Sequence, residues 1–171
     1  MFEATFANVI EGPWLRIEPI RIGAVPAGLG TPDFYVTVHK NDKPYLRIDL
    51  YKNSDEFYEF EEVRVWHQFV VAGFGHSVYL IHLESQDVIS IGLESYFRSF
   101  YTSNEYILVT SAERIFRVDT SGSVKWSTQQ LGIDGVIVDL VENGVIQGRG
   151  QWDPPNGWKP FRLRLYSGFL L

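Results

Sequence analysis

Apolar and polar residues alternate along almost the whole chain in short runs. Phe34-Tyr-Val-Thr-Val, Tyr45-Leu-Arg-Ile-Asp-Leu, Val78-Tyr-Leu-Ile-His-Leu and Phe161-Arg-Leu-Arg-Leu are rich in β-branched and aromatic residues, and Gly, Asn, Asp, Ser and Pro punctuate them. This is the chemistry of short antiparallel strands. The pattern predicts strands at 14–22, 34–39, 45–51, 62–66, 69–72, 78–83, 88–91, 106–110, 114–119, 124–127, 136–140, 144–148 and 161–166. One segment, 54–61, also fits a short helix, with Ser54 as cap, Asp55 and Glu56 in the first turn, and Phe57 and Phe60 three apart. An aromatic-rich loop is the alternative there. The expected fold is all-β, in one domain over residues 1–171.

The strands recur. Phe69-Val-Val-Ala, a glycine turn, Val78-Tyr-Leu-Ile-His-Leu, a polar turn and Val88-Ile-Ser-Ile make a meander. Thirty-seven residues later Tyr106-Ile-Leu-Val, Ile115-Phe-Arg-Val-Asp and Val124-Lys-Trp repeat it, with poorer copies at 34–55 and 144–168. A fixed period of a few tens of residues marks units that bury their apolar faces only against their neighbours. The stretch Ile115 to Trp126, an apolar strand ending in Asp, a Ser-Gly turn and a Trp-bearing strand, resembles the blade signature of propeller-type repeat proteins. That resemblance implies a small propeller-like arrangement of antiparallel meanders, with the 14–22 strand completing the last unit beside 161–166. A β-sandwich or open barrel uses the same meanders equally well.

Composition narrows the chemistry. The absence of cysteine excludes a disulfide scaffold, a thiolate zinc site and a cysteine nucleophile. With 15 basic against 21 acidic residues, net charge -6, a broad phosphate-binding surface and a nucleic-acid partner are not expected. Residues 1–11 show neither a basic n-region nor an apolar h-region, and no apolar run approaches the ~20 residues that cross a bilayer. The expectation is a cytoplasmic protein with no membrane partner.

Two segments stand out as binding candidates. The first, Gln147 to Phe161, packs Trp152, Asp153, two further prolines, Asn156-Gly157, Trp158, Lys159 and Pro160 into a stiff loop. Either Asp153-Pro-Pro-Asn-Gly forms a tight turn, with Asn-Gly supplying positive φ and both tryptophans plugging the core, or the loop presents Trp152, Asp153, Trp158 and Lys159 as preordered anchors. Its Trp-Asp-Pro-Pro-x-Gly-Trp-x-Pro-Phe pattern is similar to the C-terminal region of a group of uncharacterised bacterial proteins, a likeness that brings no activity. The second is acidic: Asp55, Glu56, Glu59, Glu61 and Glu62 interleave with Phe57, Tyr58 and Phe60. It is either a solvated face with its aromatics turned inward or a contact surface for a basic partner, where fixed negative charge speeds encounter.

Catalytic and metal signatures are weaker. His39, His67, His76 and His82 occur in no His-x-His or His-x-x-x-His spacing, although His67, His76 and His82 with Glu84 or Asp87 could converge through the fold. Gly73-Phe-Gly75-His76 lacks the strand–loop–helix context of a phosphate cradle. No Gly-x-Ser-x-Gly elbow occurs, and Asp134-Gly135 reads as a hairpin turn or an exposed binding tip. No catalytic residue, cofactor or metal is therefore assigned. The leading expectation is a non-enzymatic cytoplasmic binding protein that presents Glu56, Glu59, Glu61, Trp152, Asp153, Trp158 and Lys159 to a protein partner. One concrete version is an immunity or inhibitor protein masking a basic enzyme. Homo-oligomerisation through open strand edges and a small-ligand or metal-binding cavity, enzymatic or not, are the rival expectations.

Overall fold

The computed structural model describes residues 1–171. It is all-β, with four small sheets, none closed into a barrel. The first sheet holds β1 (Phe2–Ala7), β2 (Ile20–Gly23), β3 (Phe34–Lys40) and β4 (Lys43–Tyr51) in the order β1-β3-β4-β2. The second is the meander β5 (Glu61–Trp66), β6 (Phe69–Phe74), β7 (Ser77–His82) and β8 (Val88–Gly92). The third repeats that path with β9 (Phe97–Thr102), β10 (Tyr106–Ser111), β11 (Ile115–Asp119) and β12 (Val124–Ser127). The fourth has three strands, β13 (Val136–Glu142), β14 (Val145–Gln151) and β15 (Trp158–Arg164).

Period-two alternation explains how the sheets stack. In β6, Val70 joins a buried cluster with Val36, Ile48 and Leu50 of the first sheet, while its neighbours Phe69 and Val71 join Ile107 and Val109 of the third. In β10, Ile107 and Val109 face the second sheet, whereas Tyr106 and Leu108 meet Val136, Ile146 and Leu163 of the fourth. Both strands are buried at every position. A strand covered on both faces reads as a continuous apolar run, which is why Phe69-Val-Val-Ala and Tyr106-Ile-Leu-Val stood out in the sequence. The sheets thus lie face to face in chain order, with β1 beside β5, β5 beside β9 and β9 beside β13. No buried cluster joins the first sheet to the fourth.

The outer face of the first sheet is polar. Arg47 forms a two-pronged ion pair with Asp49, at 2.7 and 2.8 Å, and Asp49 is only 2% exposed. A 3-10 turn, Gly12–Arg16, lies over this face, with Trp14 edge-on to His39 and its carbonyl accepting a hydrogen bond from Arg47.

Several local expectations change. The 14–22 strand exists only as β2, because Pro13 opens the 3-10 turn ahead of it. β2 runs parallel to β4 in the first sheet, so the last unit is not completed from there. Two edge strands, β1 and β9, lie outside the expected set: β1 alternates but buries no residue fully, and β9 buries Phe97 and Phe100 three apart instead of two, so neither presents a strong period-two run. Residues 54–60 form an irregular loop, since Phe57, Tyr58 and Phe60 are drawn to different neighbours and no helix forms.

Candidate functional site

The loop before β5 folds over the hairpin between β6 and β7. Gly75 turns that hairpin with φ +56°, and a side chain there would strike Glu56 and Tyr58. Glu56 Oε2 accepts hydrogen bonds from the His76 backbone N–H at 3.1 Å and the Tyr58 hydroxyl at 3.0 Å. Burial pushes the Tyr58 phenol up to about 12. Glu56 therefore anchors the loop, while Asp55, Glu59 and Glu61 remain exposed.

From this loop a line of aromatic and charged side chains crosses the ends of the sheets. The Phe57 ring packs on Tyr96 with centroids 4.9 Å apart, and Phe60 stacks on the same ring at 6.0 Å. The Arg98 guanidinium lies 3.7 Å from the Phe60 ring centroid, a close cation–π contact. The Tyr96 hydroxyl donates to Asp134, 2.5 Å from its carbonyl and 2.8 Å from its carboxylate. Burial first, and then this bond to Asp134, push the Tyr96 phenol above the ordinary tyrosine range. Beside Asp134, a side chain on Gly135 would meet both the edge of Trp158 and the Arg98 guanidinium, and Arg149 sits over Trp158 at 5.6 Å. The rim thus runs Phe57, Tyr96, Phe60, Arg98, Asp134 and Trp158. Phe57 is 47% exposed at its open end.

The structure divides the expected site residues. Glu59, close enough to Tyr96 to act on its phenol, and Trp158 belong to or border the rim, and Glu61 stands exposed at the start of β5, next in sequence to Phe60. Trp152 and Lys159 face another way, into a groove of about 470 Å³ lined by Gln129, Gln130, Leu131, Pro160, Phe161 and Leu170. Asp153 is exposed in the loop, where its carbonyl receives the N–H groups of Asn156 and Gly157. That loop is tight, as expected, but neither Asn156 nor Gly157 has positive φ, and neither tryptophan belongs to a buried core. Asp134-Gly135 is no hairpin turn: it ends the crossover from the third sheet to the fourth, where Gly135 N–H bonds the Ala112 carbonyl.

Tyr96 and Arg98 carried no local signal. What could have found them is spacing, because Tyr96 bonds Asp134 across 38 residues, Glu62 takes the Phe100 N–H across 38, and Trp66 donates to the Ser103 carbonyl across 37.

The histidines serve local structure. The His67 ring bonds the Asn104 carbonyl, His82 accepts the N–H groups of Glu84 and Ser85, and the His76 ring accepts the Phe57 N–H. No three His, Asp or Glu side chains gather where a metal ion could be held. A trough of about 550 Å³ between β1, β5 and β9 includes Glu3, Arg64 and Thr102, and Arg64 bonds both Glu62 and Thr102. No helix is long and apolar enough to cross a membrane. No protein-family model matches the chain, and no curated protein matches it in sequence.

Proposed function

We propose that this chain is a non-enzymatic binding protein, built of meander units of propeller type, that presents the Phe57–Trp158 rim and its flanking carboxylates to a basic protein partner. The observation that carries the reading is the rim itself. Its aromatic rings are locked by ring–ring, cation–π and hydrogen-bond contacts before any partner arrives, so little side-chain entropy is lost on binding. Half-exposed Phe57 offers the apolar anchor, and Asp55, Glu59 and Glu61 supply the field that steers a cationic surface. The unit-by-unit construction is supported by inter-sheet hydrogen bonds that recur at separations of 37 and 38 residues.

The test is affinity capture with the tagged chain at low and moderate salt, run in parallel with a Glu59→Lys/Glu61→Lys variant. A stoichiometric basic protein that is retained by the native chain, released by salt and lost with the variant at unchanged melting temperature is the expected result. An eluate identical for both chains overturns the rim as the contact surface.

A further inference from the structure

The fourth sheet is set apart by its edge strand, β15, which carries Lys159, Arg162 and Arg164 and no acidic residue. It has three strands, and beyond β15 only a stub pairs, with Leu170 bridged to Leu163 and Leu171 N–H on the Arg162 carbonyl. Pro160, further along this edge, has no N–H to offer, so a neighbouring segment is received there by side chains and not by a ladder. Those side chains form the 470 Å³ groove, whose apolar surface comes from Leu131, Trp152, Phe161 and Leu170. Lys159, Arg162 and Arg164 stand exposed on β15, and none takes part in a salt bridge. In a chain of net charge -6, this is an uncompensated positive edge beside an open apolar groove.

Such a surface fits an exposed aromatic flanked by carboxylates, and the chain carries one. Among the exposed aromatics, Trp152 lines the groove and Tyr166 and Phe169 follow β15, whereas Phe57 lies between Asp55 and Glu59. Held against Tyr96, Phe57 does not line its own groove. We propose that the groove beside β15 receives the Asp55–Glu59 loop of a second copy, so that the chain associates head to tail. The loop and the groove are different surfaces, so the contact is heterologous and grows with concentration. The inference rests on the loop being a binding element, as in the function proposed above, and adds a partner for it.

The experiment is sedimentation of the full chain from micromolar to near-millimolar concentration, at low and high salt. The native chain is expected to rise above its monomer mass of 19.7 kDa at low salt and return to it at high salt. Lys159→Glu/Arg162→Glu and Asp55→Lys/Glu59→Lys are each expected to lose association alone, and their equimolar mixture to recover it. That recovery also shows that both variants fold. A native chain that stays monomeric throughout, variants that associate unaided, or a mixture that stays monomeric each overturns the proposal. The Lys159→Glu/Arg162→Glu variant leaves the rim intact, so its capture of a basic partner tests the proposed function separately.

Discussion

Tyr96 shows how one side chain ties three distant segments together. Its ring is the surface on which Phe57 and Phe60 pack, and its hydroxyl holds Asp134, so the approach to β5 and the approach to β13 share one anchor. The anchor works only while the phenol keeps its proton. Because folding raises the Tyr96 pKa, and that of Tyr58 with it, the neutral forms belong to the folded state. Their stabilising contribution is complete below the ordinary tyrosine value of about 10 and is lost as pH rises through the higher folded values. Urea denaturation on either side of that pH is expected to show an alkaline decline, and Tyr96→Phe to make it shallower. An unchanged alkaline limb in the variant would remove Tyr96 from the account.

At the scale of elements, the middle strands carry the stack and the flanking side chains bolt it. Trp126 of β12 reaches from the third sheet to the fourth, where its indole N–H donates to the Leu165 carbonyl at 3.1 Å and its ring covers Gly168. It packs partly buried against the cluster of Leu108, Ile115 and Ile146. Trp126→Ala is expected to cost about 3 kcal/mol in chemical denaturation, in line with large aromatic truncations. Trp126→Phe keeps most of the packing and is expected to cost about 1 kcal/mol, the scale of the lost hydrogen bond. Equal losses for the two variants would mean that the indole N–H, and not the ring, fastens the sheets.

For the whole molecule, the middle two sheets are packed on both faces, while the first and fourth each share a buried cluster on one side only. Neighbour-only packing of this kind distributes stability unevenly, since an end unit opens by giving up one interface and a middle unit by giving up two. Native-state hydrogen exchange is therefore expected to protect the amides of β6 and β10 longest, and those of β2 and β15 least. Uniform protection across all four sheets would instead indicate a single cooperative unit. The uneven ends also bear on association. The first sheet closes its outer face with the Arg47–Asp49 pair under the Trp14 turn, but the fourth leaves a groove and three unpaired cations.

The all-β class and the positions of most strands were legible in the residues themselves, because alternation and β-branched or aromatic content act locally, within each run. The offset of thirty-seven residues between Phe69-Val-Val-Ala and Tyr106-Ile-Leu-Val was legible for the same reason, and both runs are the doubly buried centres of their sheets. Half of the candidate site was legible too: the acidic-aromatic loop and the Trp-rich loop are both locally odd in composition. Their relation was not. Tyr96, Arg98 and Asp134 become a site only when successive sheets bring residues 38 positions apart into contact. Likewise Glu56 is spent on a backbone N–H, and Trp158 parts company with Trp152, because of where neighbouring sheets lie. Local pattern determined what each segment is; packing between segments, which no single run encodes, decided which side chains meet and which stay free.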